Sequence, residues 1–337
     1  MPVMKSLQSI TNMPIVSVVV CTYNRKNTIS QTIESILNQT CNFFFEIIIG
    51  DDCSTDGTKE ICMAYKNQYP NEIKLVFQLE NGGVGRNWAS AVKEAKGKYL
   101  AFCDDDDYWH NVNKLQIQVD YLEKNLNCGA VHTEIDIFDE VTGKISTNSY
   151  QRNNTKIIEG NIFKKVFEGG IKICMSSFFV RKSIIDQYLP LDDFITLKFP
   201  LQDWPTWMVV AKYSNINYIP ISTTTYRIGN LGITKMKDFD KAEERFRKEY
   251  KMYKYICGLF SQDLISSESN YLIYSERVLL SLAYKHYDYK NARKYAKQLT
   301  LKGQSNLKII CGQNIILFQV FLVLKKIKNV FSHNSFI

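Results

Sequence analysis

The run Ile15-Val16-Ser17-Val18-Val19-Val20-Cys21 is apolar at almost every position. A strand covered on one face alternates polar and apolar residues, so a continuous β-branched run demands cover on both faces. Phe43–Gly50 and Lys98–Cys103 read the same way, and Ile73–Gln78 is a strand between them. Helical spacing fills the gaps. Thr28–Asn38 places Ile29, Ile33, Ile36 and Leu37 on one stripe; Thr55–Tyr69 follows; a third helix runs from the Asn81–Gly85 turn to about Lys96. Strands alternating with helices over short connections predict a doubly wound, mainly parallel α/β sheet with helices on both faces. Ligands of such sheets bind beyond the carboxyl ends of the strands.

Three polar segments fall at those ends. The first is Thr22-Tyr23-Asn24-Arg25, where a tyrosine ring can stack on a flat ligand. The second is Gly50-Asp51-Asp52-Cys53-Ser54-Thr55-Asp56-Gly57. Ser54 or Thr55 suits a helix N-cap, but capping does not explain the adjacent carboxylates. A carboxylate there can accept the imide N–H of a uracil. The third is Asp104-Asp105-Asp106-Asp107, followed by Tyr108-Trp109. Four neighbouring carboxylates repel one another and are costly to desolvate. A solvated acidic turn is the plain reading; a hard divalent cation, Mn²⁺ or Mg²⁺, gives the cluster a purpose. The glycine turn at 81–87 opens a helix whose amides, with Arg86, suit a phosphate. It lacks a Walker lysine and reads equally as a tight turn.

The second half is less regular. Ala130–Phe138 and Cys174–Val180 read as strands and Trp204–Lys212 as a helix. Helices are expected near Phe239–Leu259, Leu272–His286, Tyr289–Leu301 and Leu307–Lys326. Hydrophobic residues make up 45% of the 337, enough for a sizeable core. The nine cysteines form no C-x-x-C pair, as in a reduced cytoplasmic protein, and the N-terminus lacks the build of a signal peptide. The four histidines do not cluster. Of the tryptophans, Trp207 is expected in the core and Trp109 partly exposed.

Charge is uneven: from Lys235 onward there are 19 Lys and Arg against 9 Asp and Glu, while the residues before it are near neutral. Such an appendage points to an anionic surface. Ile315–Leu324 is apolar and ends in Lys325-Lys326-Ile327-Lys328. Ten residues are too few to span a bilayer. A helix lying on an anionic membrane and a helix docked on the rest of the chain both fit. Nucleic acid is not expected, because the basic and aromatic residues there recur at helical spacing.

Taken in order, Val18–Arg25, the Asp51-Asp52-x-Ser54-x-Asp56-Gly57 block, and Asp104-x-Asp106-Asp107-x-Trp109 with Lys114-Leu115-x-x-Gln118 resemble family 2 glycosyltransferases, inverting enzymes of GT-A fold. The resemblance covers about residues 14–235, leaving 236–337 as a basic helical region. It implies a nucleotide-sugar donor, with UDP favoured, and a divalent metal. Thr22, Tyr23, Asn24 and Asp52 would hold the base. Asp104 and Asp106 would position the metal and diphosphate, with Asp105 beside them. Arg86 and Arg227 would neutralise phosphate. Asp203 would be the catalytic base, although Gln202 replaces the usual Glu before it and Asp203 also suits a helix start ahead of Pro205. In Tyr226–Thr234, Gly229 stands where the family has His, which leaves Arg227 as the candidate ligand.

The acceptor implied is a hydroxyl of a glycan or lipid-linked glycan in capsule, O-antigen or other surface-polysaccharide assembly, at the inner face of the cytoplasmic membrane. Two other functions stay open. A nucleotidyltransferase would need a glycine- and basic-rich loop after the first strand, and Thr22–Thr28 has no glycine. A non-enzymatic nucleotide- or glycan-binding module would show a broken aspartate cluster.

Overall fold

The computed structural model describes residues 13–152, 159–167, 173–229, 238–260 and 268–333, the side chains of 268–271 and 325–333 excepted. It divides into two compact units, Met1–Gly232 and Ile233–Ile337. The first unit begins with β1 (Val16–Thr22), α1 (Ile29–Leu37), β2 (Phe45–Asp51), α2 (Thr58–Gln68), β3 (Ile73–Phe77), α3 (Val84–Lys93) and β4 (Tyr99–Phe102). β1 lies parallel between β2 and β4, and β3 flanks β2. Val16 through Val20 are all buried, as are Ile47, Ile48 and Ile49. Both faces of these strands are therefore covered, each buried Val or Ile contributing about 1.5–3 kcal/mol.

The remainder of this unit is β5 (Tyr108–Trp109), α4 (Lys114–Lys124), β6 (Cys128–Asp139), β7 (Lys144–Ser146), α5 (Ser149–Arg152), α6 (Phe163–Phe167), a 3₁₀ turn at Met175–Ser177, β8 (Phe179–Arg181), α7 (Lys182–Tyr188), α8 (Leu191–Thr196), α9 (Asp203–Tyr213) and β9 (Asn215–Ile228). The strand order is β3-β2-β1-β4-β8-β6-β9-β5, with β7 paired to β6. β8 runs antiparallel to both β4 and β6, so it reverses the sheet beside the aspartate cluster. β6 and β9 pair in parallel along most of their length.

Three sequence expectations change in this unit. Cys174–Val180 is not one strand but the 3₁₀ turn running into β8. Residues 215–228 form a long strand where none was expected. Trp109 is buried, not partly exposed: its indole N–H donates to the Ser176 carbonyl at 2.9 Å and its ring carries the Lys114 ammonium 4.2 Å from the centroid. Trp207 is in the core as expected. The glycine turn before α3 has local reasons. Gly83 has φ +86°, and a Cβ on Gly85 would stand 2.2 Å from the Phe199 carbonyl oxygen.

The second unit is helical: α10 (Phe239–Phe260), α11 (Glu268–Lys285), α12 (Tyr289–Leu301), α13 (Leu307–Gly312) and α14 (Ile315–His333). Leu280, Ala283, Tyr284, Ala292, Ala296 and Leu299 form its core with Ile309 and Phe318. The single helix expected over 307–326 is broken. Asn314 caps a new start, its carboxamide oxygen accepting the N–H groups of Ile316 and Leu317 at 2.9 and 3.3 Å. Among the described residues, no helix is long and apolar enough to cross a membrane.

Candidate active site

The turns after β1 and β2 brace one another. The Asn24 N–H donates to Ser54 Oγ at 2.9 Å, and the Asn24 carboxamide oxygen accepts from Thr55 N–H at 2.8 Å. The Arg25 N–H reaches Thr58 Oγ1 and the Lys26 N–H reaches Asp56. Asn24 and Cys53 sit at φ +54° and +66°, left-handed geometry that costs about 1 kcal/mol at a Cys. Side-chain acceptors hold both turns in it. Tyr23, 44% exposed, leaves its ring open at the edge of this frame.

Asp52 is buried and accepts from Gly82 N–H and Gly83 N–H, both at 2.8 Å. Burial pushes its carboxyl up, and the two amides and nearby Arg86 pull it back. The amides of the glycine turn thus face Asp52, and Arg86 itself pairs with Glu80 at 2.9 Å. Thr22 and Asp51, opposite one another in the β1–β2 register, each keep one buried oxygen without a partner among the described residues.

The aspartate cluster is a turn closed by Asp107 N–H to the Asp104 carbonyl. Each carboxylate has its own surroundings. Asp105 accepts from Tyr23 N–H and from Arg25 Nε, both at 3.2 Å. Asp106 lies 3.7 Å from the Arg25 guanidinium. Asp107, buried, accepts from Ser176 Oγ at 2.5 Å and Arg227 N–H at 2.8 Å. The Asp104 carboxylate has no hydrogen bond or ion pair among the described residues, although its backbone is engaged, its N–H by Ser176 Oγ at 2.9 Å. Burial, then the neighbouring aspartates and Asp203, push the Asp104 carboxyl well above the usual range. Asp105 is pushed up to about 7 and Asp107 to about 8, in both cases chiefly by burial.

Asp203 is the first residue of α9, with Gln202 at the N-cap. It lies close enough to Asp104 for their charges to repel. The guanidinium of Arg227 donates to the Asp106 carbonyl at 2.6 Å, to Gln31 at 2.6 Å and to Glu140 at 3.3 Å, so Arg227 fastens the end of β9 to the aspartate turn. The remainder of the segment that begins at Tyr226, from 230 to 234, lies outside the described residues.

Thr22, Tyr23, Asn24, Asp52, Asp104, Asp105, Asp106, Arg227 and Asp203 therefore gather at the carboxyl ends of β1, β2 and β4, with Arg86 beside Asp52. Two residues of this framework were given no role by the sequence reading. Arg25 is the cation that the aspartates face, and its place next to Asn24 at a strand end was the available signal. Ser176 ties Asp104 to Asp107 from about 70 positions away and carried no local signal.

The residues fit a divalent cation. A lone carboxylate, a second one at Asp106 and the crowding of four are relieved by a hard cation with oxygen ligands. Among the described residues no three His, Cys, Asp or Glu converge as a complete cage. Asp104 and Asp106 would therefore share the ion with oxygens of a bound phosphate.

Residues 17–189, just over half of the chain, match the family described as Glycosyl transferase family 2. The chain belongs to that family, and its fold is GT-A-like. It is 31% identical over 180 residues to an uncharacterized glycosyltransferase of Nostoc, covering 52% of this chain and 54% of that one. It is 37% identical over 108 residues to a poly(ribitol-phosphate) beta-glucosyltransferase of Bacillus spizizenii, covering 29% and 17%. The chain thus spans 54% of the first relative and 17% of the second. A mannosyltransferase of Pyrobaculum calidifontis, solved with GDP-Man and Mn²⁺, superposes with a TM-score of 0.55 at 17% identity, covering 95% of this chain and 88% of that one.

Proposed function

We propose that this chain is an inverting, metal-dependent transferase that moves a hexosyl or N-acetylhexosaminyl unit from a nucleotide-sugar, with UDP as the nucleotide, to a hydroxyl of a glycan or lipid-linked glycan in surface-polymer synthesis. The observation that carries it is the Asp104 carboxylate, which has no hydrogen bond or ion pair among the described residues and is close enough to Asp203 for their charges to repel. In this reading the base stacks on Tyr23 above the frame that includes Asp52. Asp104 and Asp106 would hold a divalent cation, which would supply neutralisation of the leaving diphosphate. Asp203 takes the proton of the acceptor hydroxyl as its oxygen bonds to the anomeric carbon. The bond from that carbon to the diphosphate breaks on the opposite side, the electron pair leaving with the diphosphate. Attack from the rear inverts the configuration. The kinship with a poly(ribitol-phosphate) glucosyltransferase supports a surface-polymer acceptor.

The test is a screen of UDP-, GDP-, CMP- and dTDP-sugars with Mn²⁺ or Mg²⁺, reading binding and slow hydrolysis in the wild type and in Asp203→Asn. One UDP-sugar should be selected by both proteins and turned over only by the wild type. Loss of binding in Asp203→Asn makes Asp203 structural, and no binding of any donor overturns the reading.

A further inference from the structure

α14 carries apolar residues on two sides but packs only one of them. Phe318 is buried, and its ring lies 4.6 Å from that of Tyr284 and 5.5 Å from that of Tyr289, measured between centroids. Phe321 adds a second contact to Tyr284. This side holds the helix to the core of the second unit. On the other side Ile316, Val320, Val323 and Leu324 are 66, 48, 56 and 58% exposed. Positions 316, 320 and 323 follow helical spacing, and Ile327 continues the stripe in sequence. α13 adds Leu307 and Ile310, 66 and 50% exposed. A helix apolar all round is normally buried all round, and an open stripe of this kind marks an interaction face.

Charge identifies the occupant. The last acidic residue of the chain is Asp288, and the 49 residues after it hold nine Lys and Arg. Three of these, Lys325, Lys326 and Lys328, follow the stripe directly on the same helix. A partner protein face would be read by mixed charges. An acid-free basic segment beside open Ile, Val and Leu matches an interface of acyl chains and anionic headgroups.

We infer that the outer face of α13 and α14 lies in the headgroup layer of an anionic membrane, its exposed Ile, Leu and Val side chains reaching the acyl boundary, with the positive charge of the lysines that follow in sequence drawn to the phosphates. Lipid binding by this face is independent of the transfer chemistry.

The test floats the full chain with vesicles of phosphatidylcholine alone and of equal parts phosphatidylcholine and phosphatidylglycerol. The chain should float with the anionic vesicles and not with the neutral ones. Ile316→Glu with Val320→Glu and Val323→Glu should abolish flotation without lowering the melting temperature, because these side chains are exposed. Lys325→Gln with Lys326→Gln and Lys328→Gln changes no apolar position and keeps the test alive if the first variant does not fold. It should weaken partitioning about 100-fold, at about one kcal/mol per lysine near the surface. Failure of the wild type to float, or flotation unaffected in both variants, overturns the inference. So does a dimer in lipid-free buffer that the Glu variant turns into monomer, which would assign the face to a second copy.

Discussion

Ser176 joins the two ends of the aspartate turn through one hydroxyl, which accepts from Asp104 N–H at 2.9 Å and donates to Asp107 Oδ2 at 2.5 Å. The residue is fully buried, so water does not replace the hydroxyl in Ser176→Ala. The variant strands a backbone N–H and one carboxylate oxygen. Each buried unpaired group costs about 1–3 kcal/mol, which makes about 3 kcal/mol together. For a unit of this size that lowers the melting temperature by about 6–12 °C. The loss of donation also moves the Asp107 carboxyl further up, since the hydroxyl holds it down. All four tryptophans (Trp88, Trp109, Trp204 and Trp207) lie in the first unit, so tryptophan fluorescence reports its unfolding separately from the helical unit. A cycle with Asp107→Ala isolates the bond. Without the carboxylate, Ser176→Ala costs only the stranded N–H, and the coupling should be about 1–2 kcal/mol. Effects that add to within about 0.5 kcal/mol would refute the reasoning.

Two further outcomes follow from buried polar groups. His132 is buried against the rings of Tyr150 and Tyr218, and burial pushes it down to about 4. An unfolded His titrates near 6.5, so the stability that depends on neutral His132 is complete above that pH and is lost as pH falls toward 4. Relative to the wild type, His132→Phe should therefore gain about 2 kcal/mol between about pH 7.5 and pH 5 in urea unfolding; an unchanged difference contradicts it. Asp52→Asn turns an amide N–H₂ toward one of the Gly82 and Gly83 N–H groups. The turn should loosen and UDP affinity fall about tenfold in calorimetric titration, with wild-type affinity counting against a role for this turn.

The parallel half of the sheet was legible because β1, β2 and β4 are buried on both faces and therefore spell continuous apolar runs. Their ends were legible as the polar segments that interrupt those runs. β9 was not, although it is longer than any of them. Its middle, Ser222-Thr223-Thr224-Thr225, reads as a polar turn, yet Thr223, Thr224 and Thr225 are buried because each hydroxyl has a partner. Those partners are Thr133, the Ser176 carbonyl and His110, all remote in sequence. Trp109 was misplaced for the same reason: its indole partner is the carbonyl of Ser176, 67 positions away. The break between α13 and α14 had a local signal in Gly312 and Asn314, but the apolar spacing on either side outweighed it. Hydrophobic period shows what an element buries, and not which distant polar group satisfies it.

The account turns on Asp104 as the carboxylate that holds a cation against a nucleotide diphosphate. Calorimetric titration of UDP into the full chain, with and without Mn²⁺, in the wild type and in Asp104→Ala, tests this most directly. The account predicts binding that requires Mn²⁺ in the wild type and disappears in Asp104→Ala while the tryptophan-monitored melting transition is kept. UDP binding of equal strength with and without Mn²⁺, or metal-dependent binding that survives Asp104→Ala, would contradict it.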